Sequence, residues 1–155
     1  MRRQRGFTLV EALVVVGIIG ILASFGFPAM TRFLTTQAVR SASYDLFADL
    51  IYARSEAIAR GVTVSFLGVS GTDYKQGWNI RENGGGTTIR TQSARSSAIV
   101  FTASQNTFSF DRNGRSDATM TFNIVPVETT TNDYMKRCIR LDPSGRPKSA
   151  EGACP

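Results

Sequence analysis

Gly6-Phe7-Thr8-Leu9-Val10-Glu11 leads into an uncharged run over residues 12–31. At about 1.5 Å per helical residue, such a run reaches roughly 30 Å, the hydrocarbon thickness of a bilayer. Glu11 is out of place at its head. A carboxylate in lipid costs about 2.5–3.5 kcal/mol at a helix centre. An acid there calls for a partner that neutralises it. Ahead of the run stand Arg2, Arg3 and Arg5. They hold the N-terminus in the cytoplasm, so the remainder is exported. The same layout describes an ordinary secretory signal peptide or a plain membrane anchor. The run exceeds the usual signal core of about 7–15 residues, and a cut near Ala23-Ser24 leaves Glu11 without a role.

Outward from that stretch, residues 7 to about 60 read as one helical stem. Its first half is apolar on all sides, as lipid or a filament core requires. Pro28 removes a helix hydrogen bond and is expected to kink or loosen the stem. Over residues 31–61 the pattern turns amphipathic. Val39, Leu46, Leu50, Ala53 and Ala57 fall on one stripe, with Phe47, Ile51 and Ile58 beside them and Arg40, Asp45, Asp49 and Arg54 mostly off it. Gly61 suits a left-handed cap.

Residues 62–155 read as β structure. Strands are expected at 62–66, around Trp78 and Ile80, and at 87–91, 99–102, 107–110, 119–125 and 137–141. Asn83-Gly84-Gly85-Gly86 is a hairpin loop, Asp111-Arg112-Asn113-Gly114 a turn, and residues 128–133 a polar loop. Asp142-Pro143-Ser144-Gly145 turns the chain into its tail. About seven short strands beside one helix define an α+β fold. No internal repeat stands out.

Residues 6–11 and the apolar run resemble the type IV prepilin signature. The resemblance implies a leader over residues 1–6, peptidase cleavage between Gly6 and Phe7, and N-methylation of Phe7. It implies that Glu11 pairs with the terminal amine of a neighbouring subunit during assembly. Residues 7–30 would be the membrane and filament-core helix, and the whole would take the type IV pilin fold: a long stem packed on a small antiparallel domain. In related filaments the segment around the proline loses helicity; a simple packing kink is the alternative for Pro28. Tyr52-Ala53-Arg54-Ser55-Glu56-Ala57-Ile58, Gly77-Trp78, the residue 110–114 turn and Ser144-Gly145-Arg146 resemble the GspH/FimT/FimU family of minor pilins and pseudopilins. That family implies a low-copy subunit at the tip that helps start the filament. Implied partners are major and minor pilins, the prepilin peptidase and an inner-membrane assembly platform. A type II secretion pseudopilin has the same anatomy, and a DNA-binding pilin for transformation is a third reading.

Little else in the chain carries chemistry. Histidine is absent, which removes the usual general base and the commonest metal ligand. Two cysteines alone make no zinc site. Gly84-Gly85-Gly86 lacks the Lys-Ser/Thr and the helix of a phosphate loop. Asp111 and Asp117 read as turn formers. We expect no enzyme, no cofactor, no metal and no small-molecule substrate. Cys138 and Cys154 lie on the exported side, where thiols oxidise, and are expected to pair.

The net charge is +6, of which the leader arginines carry +3. The remaining net +3 is mildly basic. Lys136, Arg137, Arg140, Arg146 and Lys148 crowd the C-terminal region, with Arg112 and Arg115 on another turn. FimT-type subunits carry a C-terminal Gly-Arg-x-Arg motif associated with DNA capture. Gly145-Arg146-Pro147-Lys148 matches it except for the final lysine, which keeps the charge but loses the planar fork. The basic cluster is therefore a candidate phosphate contact; a solvated rim, or a contact for an acidic neighbouring subunit, is the alternative.

Overall fold

The computed structural model describes residues 7–83, 86–128 and 133–155, apart from the side chains of residues 25–29. Gly6 with the rest of the leader, Gly84-Gly85 of the hairpin and most of the polar loop lie outside the described residues, as does the Pro28 side chain. The chain divides into two compact units, one ending at Leu34 and the other Thr35–Pro155. A single helix, α1, Leu9–Arg60, contributes to both.

Thr8 starts α1: its Oγ1 accepts a hydrogen bond from the Glu11 backbone N–H at 3.2 Å, and its carbonyl accepts from Ala12 N–H. Thr8-Leu9-Val10-Glu11 is thus a capping-box sequence. Gly61 ends the helix at φ 68°, where a residue without Cβ is unstrained, and its N–H bonds the Ala57 carbonyl. In the first unit the described large apolar side chains are exposed, from Leu9 at 80% to Leu22 at 66%. No helix among the described residues is long and apolar enough to cross a membrane. The described side chains of residues 9–24 fall short of the ~20 apolar residues a span needs, and the expected span over 7–30 runs on through residues 25–29.

In the second unit α1 lies on a sheet of eight strands. These are β1 (Val64–Ser70), β2 (Asp73–Glu82), β3 (Thr88–Gln92), β4 (Ile99–Ala103), β5 (Thr107–Phe110), β6 (Met120–Pro126), β7 (Arg137–Leu141) and β8 (Pro147–Glu151). The order is β5-β1-β2-β4-β6-β7-β8, with β3 paired to β2, and every pairing is antiparallel. Period-two burial explains the packing. Met120, Phe122 and Ile124 of β6 are buried, while the residues between them are half-exposed. They face the stripe of Val39, Ala42, Leu46, Leu50, Ala53 and Ala57, all at most 1% exposed. Between helix and sheet runs a chain of rings, Phe66, Tyr74, Trp78, Phe101, Phe108 and Phe122, with centroids 5.2–6.3 Å apart. Such contacts add specificity to area burial.

Three sequence expectations need correction. The strand count is eight, because Pro147–Glu151 pairs with β7 instead of trailing as a tail. The second strand starts at Asp73, which brings Tyr74 into the core. Asp49 is not on the solvent side of the stem; it is 2% exposed. Cys138 and Cys154 form a disulfide. The Cys154 N–H also donates to Asn123 Oδ1 at 3.2 Å, so the last residues are held against β6.

Candidate functional site

Three places bring sequence-marked residues together. The first is the helix start. Phe7 is 74% exposed and Glu11 is exposed, with Glu11 in the first turn. The helix dipole favours a carboxylate there by about 0.3–1 kcal/mol. That is a fraction of the cost of an unpaired carboxylate in lipid. Thr8, whose capping role the Thr-x-x-Glu spacing announces, is the residue that sequence reasoning passed over here.

The second place joins three separate family-like segments. Two turns carry the same pattern, Asp-x-x-Gly-Arg, at residues 111–115 and 142–146, a short repeat that the sequence reading missed. In each, the aspartate accepts the N–H two residues on, at 2.8 Å (Asn113) and 2.9 Å (Ser144). In each, the glycine N–H returns to the aspartate carbonyl, and the glycine sits at φ 73° or 72°. These contacts hold both acids below the usual carboxylate range: chiefly the Arg115 N–H for Asp111, and chiefly the Ser144 hydroxyl for Asp142. The turns pack against each other. Ser116 N–H donates to the Pro143 carbonyl at 3.2 Å, and a Cβ on Gly145 would stand 2.0 Å from the Gly114 carbonyl oxygen. From the stem, Arg54 Nε donates to that same Gly114 carbonyl at 2.9 Å. The stem motif and both turns are therefore one unit. Asp117 serves nearby as a strand clamp, accepting from Ser109 N–H and Oγ–H at 2.9 and 2.7 Å.

The third place is a clamp between stem and sheet. Asp49 Oδ2 accepts from Trp78 Nε1 at 2.9 Å, and Oδ1 pairs with Arg90 at 3.0 Å. Asp45 pairs with Arg95 at 2.7 Å, and the Arg95 guanidinium lies 5.1 Å from the Trp78 ring centroid. Burial raises the Asp49 carboxyl above the ordinary 3.8, against the opposing pull of Trp78 and Arg90. A raised pKa means that the folded state holds this proton more tightly. The stability it contributes is fully present below pH 3.8 and is lost as pH rises through the native value. Trp78 is the sole tryptophan, so its fluorescence reports this carboxyl. We expect a fluorescence titration with its midpoint above 3.8, absent in Asp49→Asn. A midpoint at or below 3.8, or an unchanged titration in the variant, would contradict the assignment.

The basic residues do not form one surface. Lys136 pairs with Asp133 at 3.1 Å. Arg137 is only 13% exposed; it pairs with Glu151 and donates to the Tyr134 and Lys136 carbonyls. Lys148 reaches Asp142 at 3.6 Å and is the register partner of Arg140 across β7 and β8. Arg112, Arg115, Arg140 and Arg146 are exposed and make no ion pair among the described residues. Of these, Arg112 and Arg115 stand on the first of the two packed turns and Arg146 on the second. Among the described residues, no group of His, Cys, Asp and Glu could hold a metal ion.

A long capped helix with an exposed apolar first half, packed beyond residue 35 on an antiparallel sheet, is the architecture of pilin-type subunits. Residues 42–145 match the family described as Type II transport protein GspH, and residues 1–27 match the prokaryotic N-terminal methylation motif. The chain belongs to the GspH family. Its fold matches the type IV minor pilin FimU of Pseudomonas aeruginosa (strain PAO1) in two crystal forms, each at TM-score 0.62 and 23% identity. The matches cover 72% and 74% of this chain and 91% and 93% of FimU. A stretch of 39 residues is 51% identical to "Prepilin peptidase-dependent protein D" of Escherichia coli (strain K12). It covers 25% of this chain and 27% of that protein. The protein is a structural subunit of the type IV pilin class, a minor pilin or pseudopilin of the GspH kind, and the methylation motif implies a membrane-anchored subunit.

Proposed function

We propose that this minor pilin is cut between Gly6 and Phe7, methylated on Phe7, held in the inner membrane through residues 7–30 with its sheet in the periplasm, and built into a type IV pilus near the tip. One observation supports this most: Leu9, Leu13, Ile18 and Ile21 are each more than half exposed on a helix segment whose one charged residue is Glu11. Burying such a surface is worth roughly 25 cal/mol per Å², so lipid or neighbouring helices must cover it. Glu11 then sets register against a neighbour's terminal amine, and Pro28 supplies the bend or loosening that packing requires. The apolar segment packs among other pilins, and the sheet couples to other minor subunits. Deleting the gene should reduce piliation and twitching while exoprotein release continues. Lost exoprotein release with normal piliation would overturn this reading in favour of a type II secretion pseudopilin.

A second reading, DNA capture, is favoured by the packed twin turns with their unpaired arginines. A phosphodiester backbone would lie across Arg146 and Lys148, with Arg140 adjacent. Arg146→Gln with Lys148→Gln should weaken duplex binding by the full chain in detergent and lower the salt slope by about 1–2. Lys136→Gln with Arg137→Gln should change it far less, since those cations are held in closer pairs, at 3.1 and 2.9 Å, while Arg146 has no ion pair among the described residues and Lys148 stands 3.6 Å from Asp142. Equal effects from the two pairs, or none from the first, would count against DNA.

A further inference from the structure

The face of α1 turned away from the sheet is not a polar surface. Tyr44, Ile51 and Ile58 recur every seven residues at 75%, 46% and 48% exposure. Between them, also seven apart and exposed, stand Ser41, Ala48 and Ser55. Small residues at one heptad position and large ones at the other form a seam for a second helix. The serines carry little desolvation cost there. Ser55 Oγ donates to the Ile51 carbonyl at 2.8 Å, and Ser41 Oγ donates to Asp45 Oδ2 at 3.3 Å, both within the helix. The core stripe, including Leu46 and Ala53, lies on the opposite side, so two copies joined at this seam keep their sheets apart.

We propose that the seam pairs two copies of this chain through parallel α1 helices. Charge selects the occupant and its direction. In a parallel pair, Arg40 flanks the seam five residues before Asp45 of the second copy, the spacing at which flanking charges meet. Arg40 has no ion pair among the described residues, and Asp45 uses only Oδ2 in its bonds to Arg95 and Ser41. The remaining flanking pairs, Phe47 with Tyr52 and Arg54 with Ala59, contain no like charges. An antiparallel pair would instead set Arg40 beside Arg54 twice. Parallel pairing also agrees with the anchoring proposed above, although the charge argument does not depend on it.

Disulfide trapping in membranes from cells carrying the full chain tests this. The native cysteines are bonded to each other, so one added cysteine is the only free thiol. Ser41→Cys, Ala48→Cys and Ser55→Cys should each give the self-linked dimer on mild oxidation, whereas Arg60→Cys, off the seam, should not. Adding Ile51→Glu should cut trapping by roughly ten-fold. Unchanged Trp78 fluorescence would show that this variant still folds. Trapping at Arg60 as strong as at the seam, trapping only to other proteins, or trapping between Ser41→Cys and Ile58→Cys in place of the self-pairs would overturn the proposal. Each of these results leaves the pilus reading itself untouched.

Discussion

Gly145→Ala should destabilise the second unit by roughly 3–5 kcal/mol and lower its melting temperature by on the order of 10–20 °C. Two costs combine. The residue sits at φ 72°, which an L side chain adopts only under strain. Its new methyl would also stand 2.0 Å from the Gly114 carbonyl oxygen, a backbone atom that accepts from Arg54 and cannot swing aside. Gly71→Ala is the matched control. It has a similar positive φ of 58°, yet nothing lies within 4 Å of its added Cβ. That variant should cost only about 1 kcal/mol. Thermal melts of the two, followed by Trp78 fluorescence, decide the matter. Equal losses would mean that the glycines are conserving backbone conformation alone and that the turns do not touch.

Removing the Cys138–Cys154 bond should cost about 3 kcal/mol. The bond closes a separation of 16 residues, and the entropy released to the unfolded chain by opening such a loop has that size. Cys154→Ser and the double serine variant should lose the same amount, because one absent sulfur already opens the loop. Hydrogen exchange should accelerate in β7 and β8 before it does in β1 and β2. The tail would be released from β6 at the same time, since Cys154 N–H is bonded to Asn123 there. A denaturant midpoint unmoved by reduction would contradict this. So would a double variant much weaker than the single one.

The stem and most strands were legible because their signals are local. Val39, Leu46, Leu50, Ala53 and Ala57 repeat at helical spacing, and all five are buried. β5 and β7 follow the bounds that their apolar and β-branched residues suggest. β8 was not legible. Pro-Lys-Ser-Ala-Glu has no alternation and no β-branched residue, and only register against β7 makes it a strand. Asp49 was misplaced because charge argues for solvent, while a buried indole N–H argues for an acceptor, and the second wins at this position. The basic candidates split on pairing that the sequence does not record: Glu151 claims Arg137 across a strand pair that was itself unforeseen. The convergence of Arg54, Gly114 and Gly145 depends on contacts 60 residues apart, as in the bond from Arg54 to Gly114, and no spacing rule reaches them.

Behind all of this stands the idea that the chain polymerises through its apolar end. Glu11→Ala, expressed in cells that assemble the fibres, tests it most directly. Quantitative immunoblotting of sheared fibres and of membranes should find the variant processed and retained in membranes but missing from fibres. Fibre incorporation equal to that of the unaltered protein would contradict the account.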